Sequence, residues 1–458
     1  MAKRSSLHGL WSSRLAFIFA VSGSAVGLGN IWKFPYVAGA NGGGAFVLFY
    51  LICVAVVGLP IMISEILIGR RGRRNPIATM RIVGDEEDSH PSWGLVGAMG
   101  IVGGFLILSF YSVIAGWSLA YVINSAAGQF AGGETESVKA LFASLLGDWR
   151  MMAMWHTFFM VMTVWVVARG VERGLETAVR FLMPALAILM IVLLVYSIRM
   201  GDFRGGLDFL FRADFEALTA EGMLAAMGQA FFTLSVGMGA IMAYGAYLPE
   251  GTSIVGTSVS VVIADTLVAL LAGLVIFPIV FANGLDPAAG PGLIFETLPV
   301  AFGQMAGGTF FATLFFLLLT FAAWTSAIGL IEPAVAWSVE SHGQTRTSSA
   351  MIIGVIIWML GFLTIFSFNE MADVKFLGRT AFENLDHLTS NIMLPLGGLF
   401  ITVFAGWVMC KNSTAEELDV GTSFTYQTWR FLARWVAPTA VLLVFLQATG
   451  LLSALGLM

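Results

Sequence analysis

The sequence predicts an all-α, polytopic membrane protein of eleven transmembrane helices, ten of them forming a 5+5 inverted repeat in which helices 1 and 6 are broken. Three observations predict it. Of 458 residues, 58% are hydrophobic and only 11% charged, and the mean hydropathy of +0.87 is far above that of a soluble domain. Apolar stretches of membrane-spanning length recur along the whole chain. A glycine-bearing motif in the middle of the first stretch also returns in the middle of the sixth.

The spans fall at about 12–36, 42–69, 93–124, 152–168, 176–198, 223–248, 254–282, 309–338, 348–367, 382–409 and 431–456. They make a single membrane domain over 1–458, with a first repeat at 12–199, a second at 223–409 and a peripheral last span at 431–456. Loop lysines and arginines set the orientation. With the N-terminus cytoplasmic, that side collects Lys3, Arg4, Arg14, Arg70, Arg71, Arg73, Arg74 and Arg81 among others. The opposite side has fewer, such as Lys139, Arg150 and Arg204, mixed with more numerous acids. An odd number of spans then places the C-terminus outside. Met1 to Leu10 leads into the first span without a recognisable cleavage site, and no appended soluble domain is expected. Leu285 to Gly308, half-apolar and outside, is expected to form a short helical hairpin. Cys53 and Cys410 suggest neither a disulfide framework nor a metal site.

The first span carries Ser22-Gly23-Ser24-Ala25-Val26-Gly27-Leu28-Gly29-Asn30 at its centre. Each interior glycine costs a helix about 1 kcal/mol relative to Ala. Backbone that breaks at membrane depth is tolerated only where protein covers it or it lines a cavity. A kinked, glycine-packed helix is the alternative. Val26-Gly27-Leu28-Gly29 is echoed by Val236-Gly237-Met238-Gly239, and Pro60 in span 2 by Pro278 in span 7. Paired glycine-interrupted segments in two halves point to an inverted-repeat secondary transporter. Spans 1–5 and 6–10 run in opposite orientations because five is odd.

Unwinding frees carbonyls and N–H groups that have no intrahelical partner. Carbonyl oxygens, together with Asn, Thr and Ser oxygens, make a hard cage suited to an alkali cation. Exposed half-helix N-termini attract a carboxylate. Span 1 offers Ser24 and Asn30, span 6 Thr233 and Ser235, span 8 Thr325 and Ser326, and span 7 Asp265. A mid-helix carboxylate costs about 2.5–3.5 kcal/mol to insert, so Asp265 should face a cavity or cation. A structural hydrogen bond to a neighbouring helix would also keep it. Thr325 and Ser326 could simply bond back within their own helix. Tyr111, Phe232 and Met238 could be packing, and Lys33 and Asp386 a snorkelling or solvated pair of span ends. No His-Glu-x-x-His and no second intramembrane aspartate facing Asp265 are found, which disfavours an intramembrane protease.

These residues resemble the neurotransmitter:sodium symporters, in particular their bacterial amino-acid-transporting members. The resemblance covers almost the whole chain through WSSRLAFIFAVSGSAVGLGNIWKFPY (11–36), NGGGAFVLFY (41–50), SFYSVIAGW (109–117), GQAFFTLSVGMGA (228–240), TSAIGLIEP (325–333) and NIMLPLGGL (391–399). It implies a first sodium site from the Ala25 carbonyl, Asn30, Thr233 and Asp265, completed by the substrate carboxylate. A second would use the carbonyls of Gly23, Val26 and Ala322 with Thr325 and Ser326. The substrate carboxylate would meet the Gly29 amide and the Tyr111 hydroxyl. Its amino group would meet carbonyls around Ala25, Phe232 and Ser235, close to Ser24, Gly27 and Thr233. Its side chain would lie among Ile107, Tyr111, Phe232, Met238, Ser326 and Leu330. Phe232 would close over it, with Lys33 and Asp386 as an outer charged gate.

The departures from the family pattern carry information. Gly27 stands where the monoamine carriers have an aspartate, which favours amino acids over amines. Lys33 replaces the outer-gate arginine and loses its planar fork. His8 and Glu340 stand where the cytoplasmic gate pairs an arginine with an acid, so that latch is expected to respond to pH. Asp265 supplies a fixed negative charge where relatives need chloride, which implies chloride independence. Gly174 and Pro184 give the Gly-x9-Pro spacing of a fifth span that unwinds inward, and the twelfth span of many relatives is missing. The resulting expectation is sodium-coupled symport of amino acids by alternating access, with Met238 favouring hydrophobic or aromatic L-amino acids. The expected partners are two sodium ions, an amino acid and the lipid bilayer of a bacterial cytoplasmic (inner) membrane. No organic cofactor, nucleic acid or enzyme activity is expected, and a homodimer is left open. An amino-acid-binding sensor and a sodium-independent exchanger are the alternatives.

Overall fold

The computed structural model describes residues 4–450 apart from 291 and 422. Among the described residues no strand forms, and the lone bridge pairs Phe376 with Arg379. The chain begins with α1 (Arg14–Ala25) and α2 (Gly29–Ala40), which meet at a bend of 51°. Next come α3 (Gly44–Gly72), α4 (Pro76–Glu86), α5 (Pro91–Ala126), α6 (Thr135–Gly147), α7 (Trp149–Ala168), α8 (Val171–Met200) and α9 (Phe203–Phe211). The second half holds α10 (Ala220–Thr233), α11 (Ala240–Ala246), α12 (Ile254–Ala282), α13 (Leu298–Gln304), α14 (Gly308–His342), α15 (Arg346–Phe366), α16 (Ala381–Val408), α17 (Lys411–Leu418) and α18 (Phe424–Gln447).

Nine of the described helices are long and apolar enough to cross a membrane, and α1 with α2 makes a tenth when the bent pair is taken as one. The expected sixth span is divided between α10 and α11, each too short to cross alone. The expected end of the last span, at 456, lies outside the described residues. One side of the candidate site is lined by α14. Of its apolar window 78% is buried inside the protein, against 28% for α18, so α14 is a core strut and α18 a peripheral one.

Local chemistry explains where α1 and α10 stop. Ser13 caps α1 by accepting from the Ala16 N–H, and the helix ends where Val26 turns extended (φ −69°, ψ 103°). After α10 the backbone enters left-handed conformations at Ser235 (φ 53°), Gly237 (φ 85°) and Gly239 (φ 72°). Such angles suit glycine and interrupt a helix. Gly237 also lies tight against α16, where a Cβ would sit 2.5 Å from the Leu394 carbonyl.

Several connections between the long helices are themselves helical. α4 and α17 cover the N-terminal, basic face, while α6 and α9 lie on the opposite one. The hairpin expected over Leu285–Gly308 is corrected to one short helix. A π-wound turn, Leu293–Thr297, runs into α13, and a short turn with Met305 extended and Gly307 left-handed then leads into α14. Pro287 and the positive-φ Gly290 leave no helical first arm to pair with it.

Candidate functional site

The gap between α1 and α2 faces the loop between α10 and α11. Ser235 Oγ donates to the Ser24 carbonyl at 3.1 Å, and Gln229 Nε2 donates to the Gly29 carbonyl at 2.8 Å. Both hydrogen bonds satisfy carbonyls beside the break, as buried backbone requires.

Asp265 of α12 lies against this junction, fully buried. Asn30 Nδ2 donates to Asp265 Oδ1 at 2.8 Å and to its carbonyl at 3.1 Å. Thr233 Oγ1 donates to Asp265 Oδ2 at 3.1 Å. The other end of the Asn30 amide accepts from the Gly27 N–H at 3.0 Å. Ala25 closes α1 immediately before this cluster. The Asp265 carboxylate is therefore bracketed by neutral donors from α2 and α10, and among the described residues no cationic side chain pairs with it. A buried carboxylate in that setting favours a small cation beside it.

A second cluster lies on the other side of the break, against α14. Ser326 Oγ donates toward the Val26 carbonyl at 3.1 Å and the Gly23 carbonyl at 3.4 Å. Thr325 Oγ1 bonds back to the carbonyls of Ala322 (3.0 Å) and Phe321 (3.2 Å). Its back-bonding is the local arrangement that the sequence allowed as an alternative. Gly23 is close by, and a Cβ on it would come 3.3 Å from Thr325 Cβ.

Between the clusters, the Tyr111 hydroxyl accepts from the Leu28 N–H at 3.2 Å. A Cβ on Gly27 would lie 2.8 Å from that hydroxyl and would collide with Ser326 Oγ. Ile107 sits one turn before Tyr111 on the same face of α5. Ile107, Met238 and Leu330 are all buried. A Cβ on Gly104 of α5 would touch the carbonyls of both Leu330 (3.2 Å) and Met238 (3.7 Å), which places those residues together.

Phe232 packs its ring on Gly29, where a Cβ would be 3.0 Å away. Lys33 Nζ sits 4.0 Å above the centre of the same ring. A cleft of about 320 Å³, lined by Lys33, Val37, Gln229, Phe232, Asn391 and Leu394 among others, lies on this side. Asp386 accepts from Ser390 Oγ at 2.8 Å, and no Lys33–Asp386 ion pair closes within 4.0 Å among the described residues. On the basic face, His8 Nε2 lies 2.9 Å from Glu340 Oε1.

Several residues of this framework were missed in the sequence reading. The Glu65 carboxylate accepts from the Gly237 N–H inside the second break, and Glu332 pairs with Arg346 and accepts from the Tyr247 hydroxyl at 2.8 Å. Both are acids within apolar spans, the same signal that singled out Asp265. Gln229 gave a weaker signal of the same kind, and Trp11, fully buried ahead of α1, gave none.

The donor set is carbonyls, hydroxyls, one carboxamide and one carboxylate. Among the described residues no group of three His, Cys, Asp or Glu side chains could hold a metal ion. Hard oxygens without imidazole or thiolate suit an alkali cation better than a transition metal.

The model of the Sodium:neurotransmitter symporter family matches residues 8–140 and 143–456. The chain belongs to that family. Its members are transporters, not enzymes, and sodium-dependent. The chain is 38% identical over 447 residues to the sodium-dependent transporter YhdH of Bacillus subtilis, covering 97% of this chain and 98% of that one. A sodium-dependent transporter of Haemophilus influenzae is 32% identical, over 95% and 97% of the two chains. The bovine sodium-dependent neutral amino acid transporter B(0)AT2 is 28% identical over 59% of this chain and 40% of its own. Among solved structures, MhsT in complex with L-phenylalanine superposes with a TM-score of 0.89 at 42% identity, covering 96% of this chain and 99% of that one. This symporter is a multi-pass, all-helical membrane protein.

Proposed function

We propose that this symporter couples the inward movement of two sodium ions to that of an L-amino acid, with hydrophobic or aromatic side chains preferred and no need for chloride. The observation that carries the reading is Asp265, buried and bracketed by Asn30 and Thr233 beside a helix break, with no cationic side chain against it among the described residues. In this reading Ala25, Asn30, Thr233 and Asp265 hold one sodium. Gly23, Val26, Ala322, Thr325 and Ser326 hold the other once the two hydroxyls turn off their present carbonyl partners. The substrate carboxylate sits on the Gly29 amide and Tyr111, its amino group near Ser24, Ala25 and Ser235. Its side chain lies among Ile107, Phe232, Met238, Ser326 and Leu330. Neutral amino acid transport by one relative and the phenylalanine bound to MhsT support this substrate class.

Eleven spans follow if α10 and α11 together make one broken span, with 12–199 and 223–409 as inverted repeats. Alternating access would then rock α1 and α11 about the central site, with Lys33, Phe232 and Asp386 as the outer gate and His8 with Glu340 as the inner. The N-terminus is assigned to the cytoplasm of a bacterial inner membrane and the C-terminus to the outside, from the excess of arginine on the N-terminal face.

Uptake of labelled amino acids into reconstituted vesicles tests the reading. An inward sodium gradient should drive accumulation of phenylalanine, leucine or tryptophan. Equal uptake with potassium on both sides would overturn sodium coupling. Binding without uptake would instead favour a sensor.

A further inference from the structure

Two π-wound turns face each other where α16 ends and α18 begins its span, Phe404–Val408 in α16 and Leu432–Val436 in α18. Such turns often mark a functional position in a helix. The Trp407 indole N–H donates to the Arg434 carbonyl at 3.0 Å and ties one turn to the other. The Arg434 guanidinium carbon lies 4.2 Å from the centre of the Trp407 ring. Gly406 makes room for this arginine, since a Cβ there would come 2.8 Å from Arg434 Cγ. Trp435 stands edge-on to Trp407, with ring centres 4.7 Å apart and planes at 78°. Both indoles and Phe431 are exposed on this surface. One turn earlier on α18, Arg430 donates to Thr414 of α17 at 3.0 Å, which fixes the level as the basic-face end of the span.

We propose that Arg434, bedded on Trp407 beside Trp435, binds the phosphate headgroup of an anionic phospholipid in the leaflet on the basic face. Among the described residues no carboxylate comes within 4.0 Å of Arg434. Its Nε is shut off from water and has no hydrogen-bond partner, an arrangement that is costly until an acceptor meets it. A guanidinium offers its N–H groups as a planar fork that fits two phosphate oxygens. Tryptophan favours the headgroup level of a bilayer, so the two indoles set Arg434 at the depth of lipid phosphates. The lack of a neighbouring acid selects a headgroup of net negative charge, because a zwitterionic one would bring an ammonium with nothing to receive it. Free phosphate has the same oxygens but leaves the exposed rings uncovered. A phospholipid brings acyl chains to cover them.

Other arginines of this face are already matched. Arg430 also donates to the Tyr426 hydroxyl at 2.9 Å and toward the Met409 carbonyl at 3.5 Å. Arg70 pairs with Glu417 at 2.5 Å and Arg71 with Glu86 at 2.7 Å. Glu87, the acid at the end of α16, accepts from the Cys410 N–H at 2.9 Å instead of reaching Arg434. Arg169, at the end of α7, also lies over a tryptophan, 3.6 Å from the centre of the Trp165 ring. It is exposed, however, as an arginine that snorkels to the interface would be. A headgroup held across the two π-wound turns would tie the peripheral α18 to α16, the helix that packs on Gly237 in the second break.

Native mass spectrometry of the full-length, detergent-purified protein, stripped of lipid and then titrated, tests the site through its tightest-bound lipid. Phosphatidylglycerol should bind about tenfold more tightly than phosphatidylethanolamine with the same acyl chains. Inorganic phosphate should not displace it. Arg434→Gln should weaken phosphatidylglycerol binding about tenfold. Arg434→Lys, which keeps the charge without the fork, should weaken it less. Arg169→Gln should leave it unchanged. The proposal is overturned if Arg434→Gln binds phosphatidylglycerol as the native protein does, or if Arg169→Gln loses as much as Arg434→Gln. Equal binding of the ethanolamine lipid, or displacement by inorganic phosphate, would overturn an anionic phospholipid as the occupant. Equal hydrogen-exchange protection in α14 across the variants verifies that each is folded. None of these outcomes depends on what the protein transports.

Discussion

At the scale of single residues, the site is defined as much by missing side-chain atoms as by present ones. Gly27 has a wall of hydroxyls where its Cβ would be, with Tyr111 at 2.8 Å and Ser326 closer still. Gly27→Ala should therefore strain the junction by about 1–3 kcal/mol. Substrate binding should weaken about tenfold or more, measured by scintillation proximity in sodium. Wild-type affinity in that variant would show that Gly27 does not face the substrate. Asp265 has the opposite character, a full charge held by two neutral donors. Asp265→Ser should lower sodium-driven uptake by about tenfold or more in chloride-free buffer. Added chloride should restore part of it, because the anion returns the missing charge. Indifference to chloride would count against Asp265 as the fixed anion of the first sodium site.

At the scale of elements, the loop between α10 and α11 holds its shape through an acid from a different helix. The Gly237 N–H has left the helical ladder and donates to Glu65 of α3. Removing that acceptor leaves a buried N–H unpaired, which costs about 1–3 kcal/mol. Glu65→Ala should lower the detergent melting temperature measurably, whereas Glu65→Gln keeps an acceptor oxygen and should lower it less. Equal melting of the two variants would mean that Glu65 does not brace the loop. The echo of Val26–Gly29 in Val236–Gly239 marked both interruptions in the sequence. It gave no hint of Glu65, because the brace pairs a side chain with a backbone group far away in the chain. The expected hairpin over Leu285–Gly308 failed for a related reason. Its half-apolar composition indicated partial burial but carried no sign of whether one helix or two would satisfy it.

At the scale of the whole molecule, charge movement decides how strongly transport can be driven. Two sodium ions with a zwitterion carry two positive charges, worth about 4.6 kcal/mol per 100 mV if both cross the full field. A tenfold sodium gradient adds about 1.4 kcal/mol per ion. Uptake should accordingly rise when an inside-negative potential is imposed at equal sodium on the two sides, read as labelled amino acid accumulated in valinomycin-clamped vesicles. No response to potential would mean that compensating charge, such as a counter-moving proton, leaves with each cycle.

The sequence by itself determined the class of the protein. Its hydropathy demanded a helical bundle in a membrane, and its paired glycines located two interruptions. It also identified Asn30, Thr233 and Asp265 as candidates, because oxygen-bearing side chains at membrane depth are costly without a purpose. These signals are local, fixed by composition and spacing. Only the tertiary structure decided who meets whom. It set Asn30 and Thr233 on opposite oxygens of Asp265, turned Thr325 back onto its own helix, and placed Lys33 over Phe232 without an ion pair to Asp386. It also gathered His8 and Asn75 onto the Glu340 carboxylate, joining three distant parts of the chain. Contacts of that kind depend on how the helices pack against one another, and no periodicity along a single chain encodes them.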